Sequence, residues 1–281
     1  MEITLATERL FLLEDRLTAD DAEQRATERR AQAFGSGIGS LLQRPKVEEI
    51  SLIARQRRLE PFWHVIAHAS YQYERRRDYT VPGSAPEVRA VTIHDTRYEL
   101  DQAVGAERAF RMTALEHCRD EFRNEVYTDG LTGAPVADGP ALIAGVRREV
   151  EDPVTLSADG TAVLPPEHRS SFVVRKSLAE VMKPVHADRI LEESVALETS
   201  DLYYRPVMAF EFVWQGKDRT GVIEFDLVTG QMRQGKPLIG QLRGIVSRDL
   251  LFDVGADTVG LFVPGGSIAV KLAKAAIDNR S

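Results

Sequence analysis

Cys118 is the one thiol in the chain, and His117 stands beside it. A cysteine nucleophile needs a base within hydrogen-bond reach. Residues 106–122 read as a helix, on which adjacent side chains point about 100° apart. The base would therefore have to come from another part of the fold, and Cys118 reads first as a small core residue on the apolar side of that helix. His64 and His68 share one face of a predicted strand. At about 3.3 Å per residue they stand about 13 Å apart, too far to hold one zinc ion. The sequence has no Cys-x-x-Cys or His-Glu-x-x-His spacing, so neither a metal site nor a cofactor is expected. Acid pairs at Asp20-Asp21, Glu48-Glu49 and Glu192-Glu193 read as solvated helix faces. An enzyme would use Cys118 with a remote histidine, or acids such as Glu116 and Glu121.

Two glycine clusters have the composition of anion-binding loops. Gly35-Ser36-Gly37-Ile38-Gly39-Ser40 has no strand before it, and a dinucleotide fingerprint requires one, so it reads as a connector. Pro264-Gly265-Gly266-Ser267 follows the apolar run Val259–Val263 and precedes a helical pattern at 268–278 containing Lys271 and Lys274. A glycine turn at a helix N-terminus offers backbone amides to an anion, yet the spacing departs from a Walker loop. Packing on the core, contact with a partner or membrane surface, and anion binding all remain open for this segment. Arg75-Arg76-Arg77 is bracketed by Glu74 and Asp78, which reads as a polar turn.

These residues must be positioned by the surrounding elements. Residues 5–34 read as helical, with Thr18 as a hydroxyl cap ahead of Asp20 and Asp21. Residues 46–58 read as a short helix. Pro61 then opens a strand whose parities separate: Trp63, Val65, Ala67, Ala69, Tyr71 and Tyr73 on one face, Phe62, His64, Ile66, His68, Ser70 and Gln72 on the other. Such period-two alternation marks a half-buried antiparallel strand. The turn at 74–78 and a return from Tyr79 complete a hairpin. Helical patterns follow at 141–150, 171–182 (partly mixed with strand) and 186–197.

Pro206 opens a second strand of the same kind. Met208, Phe210, Phe212 and Trp214 match Trp63, Val65, Ala67 and Ala69 when Pro206 is laid on Pro61. Parity matters because a one-residue slip would turn the whole apolar set to solvent. The second copy turns at 215–218, returns through 222–225 and closes on Asp226-Leu227-Val228-Thr229-Gly230; the first half holds a similar closure, Asp129-Gly130-Leu131-Thr132-Gly133. The agreement predicts an internal duplication in which the first copy carries a long insertion before its closure. The second copy, residues 204–232, resembles the PepSY-like family of small domains: a proline-led strand, a Gly-Lys turn, a return strand, then Asp-Leu-Val-Thr-Gly-Gln-Met. The resemblance implies a non-catalytic binding or regulatory module.

The chain has 281 residues, 43% hydrophobic and 28% charged, with a net charge of -7. That composition is globular, and the interspersed charges lack the concentrated basic footprint of a nucleic-acid binder. No apolar run long enough to span a membrane is present. A single cysteine and an N-terminus without a basic-then-apolar leader predict a cytoplasmic setting. The expected fold class is α+β, two antiparallel hairpin units each packed with helices. A helical segment at 1–44, a first unit at 45–150, a second at 165–240 and an apolar, glycine-rich segment at 241–281 are the expected parts. The expected function is a non-catalytic interaction or regulatory protein that binds a protein partner. His64, His68, Arg76, Glu211, Gly265, Gly266 and Lys271 are the candidate partner-binding residues, with homo-oligomerisation open. The alternatives are an enzyme using Cys118 or acids, and a peripheral membrane protein held by its C-terminal segment.

Overall fold

The computed structural model describes residues 2–35, 45–102, 108–235, 238, 251–252 and 269–272. In chain order the elements are β1 (Glu2–Leu5), β2 (Arg9–Leu13), α1 (Ala19–Glu28), β3 (Ile50–Pro82), β4 (Ala90–Ile93), β5 (Thr96–Glu99), β6 (Asp101–Gln102) and β7 (Arg108–Asp129). Then come α2 (Gly139–Ile143), β8 (Arg147–Glu149), β9 (Ala162–Val163), α3 (Ser170–Val181), β10 (Arg189–Trp214), β11 (Arg219–Asp226), β12 (Met232–Gln234) and β13 (Ala269–Leu272). The fold is mixed α+β. Among the described residues eleven strands share one sheet whose main path runs β12-β11-β10-β3-β7-β6, and β4 and β5 form a separate ribbon.

The apolar parities do what alternation requires. Trp63, Val65, Ala67, Ala69, Tyr71 and Tyr73 are buried in one cluster, and Met208, Phe210, Phe212 and Trp214 in another. Helix α3 adds Val173, Val174, Leu178 and Val181 to the first cluster, and α1 adds Ala22 and Ala26 to the second. Thr18 caps α1 as its sequence position implies, its hydroxyl accepting from the Asp21 N–H at 3.1 Å. Both helices cover the same face of the sheet, because the cross-strand partner of Trp63 is Leu202 and that of Met208 is Arg57. Leu251 and Phe252 also join the first cluster, with the Phe252 ring edge-on to Trp63 at 5.8 Å.

Several expected elements are replaced. The polar stretch Glu74–Asp78 is not a turn but lies inside β3, which runs 33 residues without a break. The return strand is β7, and the two pair continuously from Phe62↔Asp129 to Pro82↔Ala109. Residues 46–58, 106–122 and 186–197, expected as helices, contribute mainly strand instead. Residues 5–34 hold the last residue of β1 and all of β2 before α1, and 141–150 hold the end of a short helix and β8. The two expected sheets are one: β3 and β10 pair antiparallel along most of their lengths, from Arg189↔Glu74 to Trp214↔Ile50. Of the expected 268–278 helix, 269–272 form β13, parallel to β1; the rest, with the 264–267 turn, lies outside the described residues.

Candidate interaction edge

β10 has neighbours on both sides. β3 follows one edge, while β1, β2 and β11 follow the other at Ser194–Leu197, Asp201–Tyr204 and Val207–Trp214. β7 differs. Its inner edge is fully paired with β3, but among the described residues its outer edge meets backbone only at its two ends. At one end β6 pairs Asp101↔Ala109 and Gln102↔Arg108. At the other, the Asp129 N–H donates to the Ala134 carbonyl at 2.8 Å and the Val136 N–H to the Tyr127 carbonyl at 2.9 Å.

Those last two bonds fix which backbone groups face outward. In an antiparallel ladder, successive residues direct their N–H and C=O groups alternately to one side and the other. Tyr127 and Asp129 point away from β3, and the β3–β7 register has no shift. Thr113, Leu115, His117, Arg119, Glu121, Arg123 and Glu125 therefore present their backbone groups along the outer edge. The side chains of all seven are exposed, on the sheet face opposite α1 and α3. Four of them alternate in charge. Arg119 donates to Glu121 at 2.5 Å and Arg123 to Glu125 at 2.9 Å.

Glu125 also anchors a cluster with His64. The His64 Nε2 lies 3.0 Å from Glu125 Oε1, which also accepts from the Tyr127 hydroxyl at 2.7 Å. The imidazole stacks on the Tyr127 ring, with centroids 4.5 Å apart and planes 6° from parallel. The Tyr127 and His64 bonds hold the Glu125 carboxyl down at about 2, against a burial cost that raises it. Burial pushes Tyr203 up to about 12, and Asp201 above its ordinary value despite the bidentate bonds from Arg9 at 3.0 and 2.8 Å.

A second polar group lies along the β3–β10 ladder, largely buried, with Arg233 at its exposed rim. Arg205 Nη2 lies 3.4 Å from Glu60 and 3.3 Å from Asp129, and its Nη1 lies 3.9 Å from Asp226. Arg233 bonds Glu60 at 2.5 Å and Glu224 at 2.7 Å, while the buried Arg58 pairs with Glu224. Burial raises Glu224, but Arg58 and Arg233 outweigh it and leave its carboxyl below the usual range.

Both aspartates that reach Arg205 open a turn. Asp129 Oδ1 accepts from the Leu131 and Thr132 N–H groups, at 3.0 and 2.9 Å. Asp226 Oδ1 accepts from Val228 and Thr229, both at 2.9 Å. Each turn then ends in a left-handed glycine, Gly133 at φ 71° and Gly230 at φ 72°, a conformation that favours glycine. The N–H of each glycine returns to the carbonyl of its aspartate.

The expected site residues do not converge. His64 is buried, whereas His68 is half-buried further along β3 with Arg123 as its β7 partner. Arg76 is exposed within β3, not at a hairpin tip, and its backbone N–H donates to Asp188 at 2.5 Å. Glu211 lies half-buried in β10 between Ala54 and Val222. Lys271 is in β13 opposite Thr4, and Gly265 and Gly266 lie outside the described residues. Cys118 is half-buried against the core opposite Tyr73, and on a strand its neighbour His117 faces the other way. Glu116 and Glu121 likewise occupy opposite faces; Glu116 is taken up by Arg75 and Tyr79. Among the described residues no three His, Cys, Asp or Glu side chains are grouped to hold a metal ion, and no helix is long and apolar enough to cross a membrane. The β7 edge was invisible in sequence, since edge position depends on which strands pair. No protein family, curated protein or solved structure matches the chain.

Proposed function

We propose that this chain is a non-catalytic interaction protein that binds a protein partner by strand addition along the outer edge of β7. The observation that carries the reading is the backbone from Thr113 to Glu125, whose outer edge is open among the described residues and flanked at both ends by segments already bonded to it. Unpaired N–H and C=O groups in a row form a template for another strand. The charges on β7 limit indiscriminate pairing, as they do on natural edge strands. The resemblance of residues 204–232 to PepSY-like modules accords with a binding role.

Proline at Arg119 tests this directly. It removes an outward N–H while leaving the inward bonds to β3, a substitution that edge strands tolerate. Affinity purification from the native host would compare the wild type with Arg119→Pro and Arg119→Ala. Strand addition requires partners held by the wild type and Arg119→Ala to be lost from Arg119→Pro. Equal retention by all three rules it out.

We also infer that the two halves arose by duplication of a proline-led hairpin. The offset that lays Pro61 on Pro206 lays Glu60 on Arg205, and these two residues are cross-strand partners. The repeat would thus meet itself at a two-fold axis through this pair. Phe62↔Asp129 has its counterpart in Val207↔Asp226, and Thr128↔Pro135 in Phe225↔Met232. The long insertion expected in the first copy would be the extension of β3 and β7 beyond Glu74, with the β4–β5 ribbon at its end.

A further inference from the structure

We propose that the β7 edge takes an extended segment running antiparallel to β7, with alternating basic and acidic residues on one face. This rests on the strand-addition reading and specifies its occupant. Three observations define the occupant. The first is direction: β6 and the Ala134–Val136 segment, the two backbones already on this edge, both pair antiparallel to β7. The matching edge of β11 is likewise filled by the antiparallel β12, at Phe225↔Met232 to Ile223↔Gln234.

The second is length. The slot is closed by β6 at Ala109 and by Val136 at Tyr127. A second copy of β7 does not fit. It is a 22-residue strand locked to its own β3 and carrying the same two plugs, so centring it on the slot drives its ends into those plugs. A flexible segment short enough to lie between Thr113 and Glu125 fits without displacing either.

The third is charge. Along the exposed face the edge reads Arg119, Glu121, Arg123, Glu125. Opposite charges directly across a ladder stabilise pairing and like charges oppose it. An antiparallel segment therefore matches with a base, an acid, a base and an acid at every second position, from its N-terminal end opposite Glu125. The intervening positions lie over the half-buried Asp120, Phe122 and Asn124, of which Asp120 is already bonded to the Tyr73 hydroxyl, so small apolar side chains suit.

The experiment uses full-length protein and two labelled synthetic peptides of identical composition, with binding read by fluorescence anisotropy. In one, Lys, Glu, Lys and Glu alternate with Val; in the other, Lys, Lys, Glu and Glu occupy the same positions. The wild type should prefer the alternating peptide by about tenfold, the combined effect of a few cross-strand ion pairs. The exchange Glu121→Arg with Arg123→Glu turns the edge into a blocked pattern and should reverse the preference. Both residues are exposed, so the fold is retained. With oxidised glutathione supplied as the two-electron oxidant, a cysteine added at the C-terminal end of the alternating peptide, opposite Cys118, should form a disulfide in preference to one at its N-terminal end, because non-hydrogen-bonded pairs bring Cα atoms close.

Equal affinity for the two peptides, a preference unmoved by the exchange, or no binding of either overturns the alternating-charge occupant. The underlying reading fails separately. If Arg119→Pro binds the peptides as well as the wild type does, strand addition itself is wrong. If Arg119→Pro abolishes equal binding of both, strand addition stands and only the occupant is wrong.

Discussion

At the residue scale, buried charges join β3 to β10 and β11, Arg58 pairing with Glu224 and Arg205 with Glu60. Arg58, Glu60, Arg205 and Glu224 look like ordinary surface residues, yet each finds its partners only when β3, β10 and β11 lie side by side. Arg205 faces Glu60, Asp129 and Asp226 at once, so Arg205→Met strands carboxylates with little access to water. Removing one member of such a group costs about 3 kcal/mol or more, measurable as a lowered urea midpoint with an unchanged slope. Glu125 offers a pH test. Its carboxyl titrates at about 2 in the folded chain against an ordinary 4.5, so its folded pKa is depressed. The stabilisation it supplies is present above the ordinary value and lost as pH falls from about 4.5 to about 2. Glu125→Gln should therefore lower stability by its full amount at pH 6–8 and flatten the acid limb below about 4.5, the difference from the wild type vanishing as pH approaches about 2. A limb as steep as that of the wild type would place the acid sensitivity elsewhere. Asp201 behaves in the opposite sense, because burial raises it and Arg9 is the foremost of the groups that restrain the rise, ahead of His64 and Arg147. Arg9→Met should destabilise most at neutral pH and progressively less as acid neutralises Asp201, by about 1–3 kcal/mol at its largest.

At the element scale, the apolar alternation of β3 and β10 was legible and the identity of β7 was not. Its residues Ala114, Leu115, Glu116, Arg119 and Glu121 are helix formers, and acids at 116 and 120 interrupt the apolar parity. Both acids are satisfied across the ladder, Glu116 by Arg75 and Tyr79, Asp120 by the Tyr73 hydroxyl at 3.0 Å. Pairing with β3 thus overrides local preference, which sheets do readily. The same holds for 46–58, where Arg55 and Arg57 imitate a helix surface but reach Glu23 and Asp15. The polar run Glu74–Asp78 misled because a turn and an exposed ribbon use the same residues. The Asp-x-x-Thr-Gly closures, visible in sequence as a repeated motif, are both aspartate-opened turns, and their geometry makes a paired prediction. Asp129→Ala and Asp226→Ala each remove an acceptor for two backbone N–H groups and one neighbour of Arg205. Each should cost about 1–3 kcal/mol, with the double variant departing from additivity because both act through Arg205. Strict additivity would mean that the guanidinium does not couple the turns.

At the scale of the whole molecule, the question is whether the two halves stand alone. α1 precedes β3 in the chain but packs on Phe210 and Phe225 of β10 and β11, whereas α3 precedes β10 and packs on Trp63 and Val65 of β3. Each central strand is thus covered by the helix that leads into the other. The β3–β10 ladder joins the halves at backbone level, and the Arg205 group ties the two closures together. Separating the halves would expose both apolar clusters and leave buried carboxylates without a cation. A chain built this way unfolds as one unit, although its length would allow two. The tryptophans provide the measurement, since there are two, one in each cluster: Trp63 under α3 and Trp214 beside Phe34 at 6.0 Å. In the single-tryptophan variants Trp63→Phe and Trp214→Phe, fluorescence reports one cluster at a time. Each variant's tryptophan transition should coincide with its own loss of far-ultraviolet circular dichroism in urea, because coincident probes mark a two-state transition. A tryptophan transition that precedes or follows the loss of secondary structure would show the halves melting apart, and the shared ladder would then be an interface between two domains.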